Sequence, residues 1–232
     1  MAEDGVEAVD RALTILGAFR EGADGLTLHE VAQSTGFYKS TILRLCASLE
    51  RFGYLHRSTD GRFRLGAGCL RLGSIYQSEF RLDRWIRPAL ETLAIQTHET
   101  ASFYVREGEM RVCLFRRNST RSIRHNVEEG SRLPLDRGAP GLILLAFAGD
   151  AGARFVDIRR NGYAVTLGGR DPDAAAVSVP VFAYGGVLSG ALAVTGLRTR
   201  FTPETIESIR DVVCRVAHEV SAQLGQRAGE AS

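Results

Sequence analysis

The sequence has few of the residues that bind metals or form disulfides. Its four cysteines, Cys46, Cys69, Cys113 and Cys214, include no Cys-x-x-Cys pair, and its five histidines form no His-x-x-x-His or His-Glu-x-x-His pair. Isolated cysteines of this kind are typical of free thiols in a reducing compartment. We therefore expect no disulfide, no metal site and no cofactor.

Long apolar segments are also absent. No apolar run approaches the roughly 18 residues of a membrane-spanning helix, and the first ten residues, MAEDGVEAVD, are acidic and lack the apolar core of a signal peptide. At 44% hydrophobic and 24% charged residues, the chain can form buried cores and is not of the disordered class. We expect a cytoplasmic protein with no membrane partner and with one large or two small domains.

Two stretches approach enzyme motifs without completing them. LGAGCLRLG has Arg71 where a dinucleotide-binding turn has its third glycine. GGVLSGA has Val187 and Ala191 at the positions where a nucleophile elbow around Ser189 has glycines. We therefore predict no catalytic residues and no enzyme activity, and an acyl-hydrolase remains the enzyme alternative.

The first eighty residues predict three helices followed by a hairpin. Apolar spacing indicates an amphipathic helix over about 6–21, with Val9 and Leu13 on its apolar face. Thr27 with Glu30 forms the capping-box pattern that opens a second helix. The third helix is predicted over about 39–52, and the Asp-Gly pair that follows it favours a tight turn between two strands.

This order of elements is typical of a winged helix-turn-helix, which binds double-stranded DNA. The net charge is only +2, yet the segment from residue 37 to residue 72 has seven basic and two acidic residues, and such a patch favours phosphate. The start of the third helix would enter the major groove, while the wing would contact the backbone or minor groove. The alternative is a small helical domain whose charges are merely solvated. The predicted DNA-contacting residues are Thr27, Tyr38, Lys39, Ser40, Thr41, Arg44, Arg57, Arg62 and Arg64.

From residue 101 onward the pattern predicts an α+β domain with a mostly antiparallel sheet. ASFYVRE, GEMRVCLFRR, RSIRHNV, VSVPVF and GVLSGALAVTG are expected to be strands. One helix is predicted to start near Ala139 with Pro140 in its first turn, and a last helix is capped at Thr202. The predicted domains are residues 1–66 for DNA binding, 67–82 as a linker helix, 83–226 as the second domain, and 227–232 as a flexible tail.

The stretch GLTLHEVAQSTGFYKSTILRLCASLERFGYLHRSTDGRFRLG closely resembles the DNA-binding domain of the IclR family of bacterial transcription regulators. The matching segments are Leu26 to Ala32, Gly36 to Thr41, Leu45 to Tyr54 and Phe63 to Gly66. SRLPLDRGAPGLILLAF, NGYAV, VSVPVF and LSGALAVTG resemble the GAF-like effector-binding domain of the same family. The resemblance implies a regulator that binds a small organic metabolite and acts as a homodimer or tetramer.

The effector site is expected at the start of the helix near Ala139, because first-turn amides lack intrahelical partners and bind carboxylates. Leu142 follows the helix glycine, where the family often has lysine, and Ala193 and Thr195 stand where sensors of small keto acids have serines. These departures imply a less polar pocket and an organic acid larger or more aromatic than pyruvate. The expected effector-binding residues are Phe103, Val105, Gly138, Ala139, Pro140, Gly141, Leu142, Ala193 and Thr195.

The expected partners are operator DNA and a second copy of the chain. Because two-fold symmetric proteins select symmetric sites, the operator should be pseudo-palindromic. Dimerisation is expected to need the linker helix and the second domain. The alternative function is a DNA-bound regulator whose second domain dimerises and senses nothing. Separately, the alternative for the effector site is an ordinary helix start in which Gly and Pro serve only the fold.

Overall fold

The computed structural model describes residues 5–20, 23–79, 82–122, 127–149 and 152–225. The chain forms two compact units, residues 1–80 and 81–232. In the ranges described, no helix combines the length and the apolar character needed to cross a bilayer.

The first unit has the predicted order of three helices and a hairpin, followed by a fourth helix. Its second helix begins with the capping box: the Glu30 amide donates to Thr27 Oγ1 at 3.2 Å, and the Thr27 amide donates to Glu30 Oε2 at 2.7 Å. These bonds satisfy two backbone donors that the first turn of a helix leaves open. The elements are α1 (Glu7–Leu16), α2 (Leu28–Thr35), α3 (Lys39–Arg51), β1 (Leu55–Arg57), β2 (Phe63–Leu65) and α4 (Ala67–Glu79).

A small apolar core holds the first unit together. The fully buried members of this core are Ile15, Val31, Ile42, Cys46, Leu55 and Phe63. The hairpin is tied to the helices because Leu26 and Phe63 exchange backbone hydrogen bonds of 2.9 Å and 2.8 Å.

The first helix differs from its prediction in length and in orientation. It ends at Leu16 because Gly17, a poor helix former, takes the C-cap position. Val9 and Leu13, expected on its buried face, are 53% and 59% exposed, and Ile15 is the residue of this helix that is buried. Two neighbouring side chains of the apolar stripe therefore face solvent in the single chain.

The second unit is a six-stranded, wholly antiparallel sheet in the order β5-β4-β3-β8-β7-β6. The predicted fold class is therefore confirmed. The strand predicted for RSIRHNV lies largely outside the described residues, and two short edge strands, β5 and β6, were not predicted. The elements are α5 (Asp83–Thr97), β3 (Thr100–Glu107), β4 (Met110–Arg117), β5 (Arg132–Pro134), α6 (Ala139–Phe147), α7 (Ala153–Asn161), β6 (Ala164–Leu167), β7 (Ala174–Phe182), β8 (Leu188–Leu197) and α8 (Pro203–Gln223).

Both faces of the sheet are covered by helices. Residues paired directly across antiparallel strands share a face, so Ser102, Ala193 and Ser178 lie on one face. The helix α6 packs on this face, through a buried cluster that contains Tyr104 and Ala193. The helices α5 and α8 contact each other and the strands β3 and β7, and they cover the opposite face. The space between α6 and the sheet is where the candidate effector site lies.

Candidate functional site

One side of α3 faces solvent, while the other is buried by Ile42 and Cys46. Tyr38, at the N-cap, is 85% exposed, although an aromatic ring usually gains from burial. An exposed ring next to exposed polar groups at a helix start suits contact with a partner molecule. The five residues assigned to DNA on this helix are all exposed or half-buried: Tyr38, Lys39, Ser40, Thr41 and Arg44.

A shallow cleft runs beside Arg44, between α1 and α3. Thr41 and Arg44 line it from α3, while Glu7 and Arg11 line it from α1. Arg11 forms an ion pair with Glu7, and its guanidinium lies 5.5 Å from the centre of the Phe37 ring. Arg11 thus adds a second basic group beside Arg44. No DNA contact was predicted for Arg11 from the sequence.

The three wing arginines differ in how they are held. Arg57 is exposed, donates from Nε to the Gly61 carbonyl at 3.3 Å, and lies over the Phe63 ring. Among the described residues it has no carboxylate partner. Its charge is therefore available to a phosphate.

Arg62 and Arg64 are instead tied to carboxylates of the same unit. Arg62 Nη1 is 3.1 Å from Glu30 Oε2, and Arg64 Nη2 is 2.9 Å from Asp24 Oδ1 and 3.1 Å from Asp60 Oδ2. A guanidinium already neutralised by carboxylates contributes less to phosphate binding. These two residues hold the wing against the unit, and Arg57 is the stronger candidate for DNA contact.

Thr27 and Glu30 have a structural role at the start of α2. The Thr27 hydroxyl accepts the Glu30 amide, so it is already used within the protein. The hydrogen bonds from Thr27, with a smaller effect of the nearby Arg62 charge, lower the pKa of the Glu30 carboxyl. This carboxylate therefore links the helix cap to the wing through Arg62.

A narrow cavity opens between the start of α6 and the sheet. Its empty space is about 370 Å³, which includes the part that is open to solvent. Apolar walls come from Val127, Leu133, Pro140 and Ala174–Ala176. The polar groups on its surface are Tyr104, Arg111, Thr166, Arg170 and Thr195.

Three of the nine residues assigned to the effector line this cavity: Gly138, Pro140 and Thr195. Ala139 and Ala193 are fully buried in the cluster between α6 and the sheet, and Leu142 packs against that cluster. The predicted role of Phe103 and Val105 is corrected. Their side chains point to the opposite face of the sheet, because Tyr104, which lies between them, faces the cavity. They do not form an apolar wall of the site.

The start of α6 offers a ligand fewer free groups than expected. The Ala139 amide donates to Thr166 Oγ1 at 3.1 Å, and Pro140 has no amide hydrogen. Gly138 adopts φ 75°, a left-handed value that favours glycine. A Cβ atom at Gly141 would collide with the Leu135 carbonyl oxygen, so this glycine is explained by packing within the protein. The backbone amides are thus a weaker anion site than the sequence indicated.

Arg111, which was not among the predicted effector-binding residues, is the most unusual group in the cavity. It is 3% exposed, and its Nη1 donates to the carbonyls of Pro134 and, at 2.6 Å, Arg137. Its guanidinium lies 5.5 Å from the centre of the Tyr104 ring, and its Nε is buried without a hydrogen-bond partner. Burial lowers the pKa of Arg111. Strand alternation could have predicted this burial from the sequence, because it places Arg111 on the same face of β4 as the buried Cys113.

The other reactive groups among the described residues were checked for the arrangements that metal binding or nucleophilic catalysis requires. Within the described part of the chain, no cluster of histidine, cysteine or acidic residues is arranged to hold a metal ion. Burial raises the pKa of Cys46 to about 11 and that of Cys113 to about 12, so both thiols stay protonated at neutral pH. Ser189 lies within β8, whereas a nucleophile elbow places its serine on a strand-to-helix turn.

Comparison with known proteins assigns both units to one family. The family model of the IclR helix-turn-helix domain matches residues 8–59, and that of the bacterial transcriptional regulator IclR C-terminal domain matches residues 76–156 and 153–222. HTH-type transcriptional regulator KipR of Bacillus subtilis (strain 168) is 23% identical over 244 residues, covering 94% of this chain and 97% of the relative. HTH-type transcriptional regulator BhcR of Paracoccus denitrificans (strain Pd 1222) is 28% identical over 259 residues, covering 99% and 92%.

Solved structures share the fold. The Thermotoga maritima IclR structure has a TM-score of 0.77 at 23% identity, and covers 94% of this chain and 98% of that one. An IclR homologue from Microbacterium hydrocarbonoxydans, complexed with 4-hydroxybenzoate, has a TM-score of 0.75 at 21% identity with the same coverage. The family models together span most of the sequence, and they agree with a winged helix-turn-helix unit followed by an antiparallel α+β unit. The chain therefore belongs to the IclR family of bacterial transcriptional regulators.

Proposed function

We propose that this regulator binds operator DNA through α3 and Arg57, and that a small organic acid in the cavity beneath α6 changes its affinity for that DNA. The observation that carries the proposal is the cavity itself, which combines apolar walls with two threonine hydroxyls and a buried guanidinium. Such a mixture is typical of small-molecule sites. The 4-hydroxybenzoate complex of the Microbacterium homologue supports an organic acid as the class of ligand.

The acid acts by preferring one conformation of the protein over another. A ligand shifts an equilibrium only by its difference in affinity for the two states, typically about 1–3 kcal/mol between coupled sites. An effect of this size changes operator affinity by roughly 5- to 150-fold. Regulation of that size is measurable by DNA titration with and without the acid.

The proposed oligomer is supported by apolar groups that a single chain leaves exposed. Val9 and Leu13 on α1 are exposed, and so is Leu70 on α4 of the same unit, which is 74% exposed. A second copy of the chain would bury these side chains and would place two copies of α3 on a pseudo-palindromic operator. The proposed assembly is therefore a homodimer or a tetramer built from dimers.

Thermal unfolding of the full chain with a panel of carboxylic acids tests the effector proposal. At least one acid should raise the unfolding temperature and change the affinity for operator DNA. Ala176→Leu, which fills the cavity, should abolish both effects, while Ala153→Leu on an exposed position of α7 should retain them. A panel without any binder would favour the alternative regulator whose second unit only assembles the protein.

A further inference from the structure

We infer that Arg111 clamps the carboxylate of the effector side-on, through its Nε and Nη2 atoms, and so sets the preference of the site for acids over their neutral analogues. This inference rests on the proposed effector function. It moves the anchor of the ligand from the backbone of α6 to a side chain of β4.

The hydrogen bonds of Arg111 leave one edge of the guanidinium without a partner. A guanidinium has five N–H groups in a fixed fork. The two hydrogens of Nη1 are directed to the Pro134 and Arg137 carbonyls. Nε has no partner, and Nη2 forms no hydrogen bond within the described ranges. The unpartnered Nε–Nη2 edge has two parallel donors, which match the two oxygens of a carboxylate.

The charge of Arg111 also has no ion-pair partner among the described residues, and the Asp136 carboxylate acts on it only at longer range. Its hydrogen-bond acceptors are neutral carbonyls, and none of the described carboxylates lies within ion-pair distance of it. Burying a cation without an anionic partner is costly. The exposed Arg170 lines the same cavity and adds to its positive potential. A carboxylate entering the cavity would place a negative charge in direct contact with this guanidinium.

The competing anchor at the helix start is partly occupied. The first amide of α6, that of Ala139, is taken by Thr166, and the second position is Pro140. The Thr166 hydroxyl accepts that bond and keeps its own hydrogen, so it can still donate to a ligand oxygen. Thr195 provides a second hydroxyl at the cavity surface. These hydroxyls orient a ligand, and Arg111 provides the charge that selects it.

The rest of the cavity limits the body of the ligand. Leu133 and Pro140 provide apolar surface, and the Ala174–Ala176 segment has only small side chains. The space between these walls is small, so it limits the size of the ligand. A monocarboxylate with a small and mainly apolar body matches this lining.

Matched acids and amides test the inference on the full chain. Isothermal titration uses benzoate, 4-hydroxybenzoate, phenylacetate and pyruvate, each beside its neutral amide. The tightest acid should bind the unmodified protein on the order of 100-fold more tightly than its amide, because a site built for charged hydrogen bonds rejects a ligand that lacks them. Arg111→Gln should lose this preference, and Arg111→Lys should not restore it because lysine lacks the fork. Arg154→Gln, at an exposed position of α7, is the matched control.

The outcomes separate this inference from the proposed function. If an acid binds the unmodified protein and Arg111→Gln equally well, Arg111 only braces the loop before α6, and the inference fails while the proposed function stands. If no acid binds the unmodified protein, the proposed function fails and the inference fails with it. Should the variants not fold, a crystal structure of the unmodified protein with the tightest acid decides. A carboxylate on Nε and Nη2 supports the inference, and a carboxylate on the backbone of α6 overturns it.

Discussion

Glu99 and Arg200, which are 101 residues apart in sequence, form a two-point ion pair in the second unit. Arg200 Nε donates to Glu99 Oε1 at 2.5 Å, and Arg200 Nη2 donates to Glu99 Oε2 at 2.6 Å. Glu99 is 3% exposed. The pair connects the residue before β3 to the turn after β8, so it fixes the ends of two neighbouring central strands.

Arg200→Ala should destabilise the second unit by about 3 kcal/mol, because it leaves the Glu99 carboxylate buried with Arg121 as its remaining partner at 3.6 Å. Urea unfolding of the full chain, followed by circular dichroism, measures the change. Arg198→Ala, an exposed arginine on the same turn, is the control and should be close to neutral. Equal effects of the two substitutions would contradict a special role for the pair.

Arg44→Ala should reduce binding to the operator more than binding to unrelated DNA. A bidentate arginine–guanine contact is worth about 1–3 kcal/mol of discrimination, and Arg44 is exposed on the side of α3 proposed to enter the groove. Competition titration with operator and random DNA gives the specificity ratio. Arg154→Ala, far along the chain on α7, controls for the loss of one positive charge. An unchanged ratio would remove Arg44 from base recognition.

Arg57→Ala and Arg64→Ala should differ in the salt dependence of DNA binding. Loss of one phosphate contact lowers the slope of log affinity against log salt by about 0.9, and this change is expected for Arg57. Arg64 is held by Asp24 and Asp60, so its loss should change the slope little and lower the stability of the wing instead. Titrations at several salt concentrations, paired with thermal unfolding, distinguish the two. A larger slope change for Arg64 would reverse the assignment.

Acid should loosen α2 through Glu30. The folded state lowers the pKa of this carboxyl from 4.5, so its stabilising effect is present above pH 4.5 and is lost as the pH falls through the lower folded value. Hydrogen exchange of α2 amides above and below that pH measures the effect. Glu30→Gln should remove the acid-dependent part, whereas Glu7→Gln, exposed on α1, should retain it. Identical pH profiles for Glu30→Gln and the unmodified protein would argue against the capping box as the source.

Leu13→Glu should weaken self-association. A charge at this 59% exposed position would be buried at the proposed contact between copies, where an unpaired carboxylate is costly. Sedimentation of the full chain over a range of concentrations measures the shift. Val156→Glu, at a 54% exposed position on α7, is the matched control. A full chain that sediments as a monomer at micromolar concentration would contradict the proposed oligomer.

Local signals in the sequence predicted local structure well. The capping pair Thr27 and Glu30, the hairpin turn after β1, and Thr202 at the start of α8 all appear as expected, because each depends on residues a few positions apart. The edge strands β5 and β6 were not predicted. They have three and four residues, too few for an alternating pattern, and they form because a neighbouring strand offers hydrogen bonds.

Prediction of the candidate effector site required information on strand pairing and packing that no single segment of the sequence contains. Phe103 and Tyr104 are adjacent, yet they lie on opposite faces of the sheet, and only the pairing of β3 with β8 decides which of them meets α6. Arg111 was visible as a basic residue in a strand, but its burial depends on the loop that folds over it. Helical periodicity likewise placed Val9 and Leu13 on an apolar face, but it did not show that a single chain leaves this face exposed to solvent.

The division of the chain at residue 80 has a practical consequence for engineering. The proposed DNA contacts all lie within residues 1–80, and the proposed effector contacts all lie within residues 81–232. Substitutions at sites that share no partners usually act additively on free energies. A library of cavity variants selected for a new acid should therefore keep the original operator, so this regulator is a suitable starting point for biosensors in which input and output are changed independently.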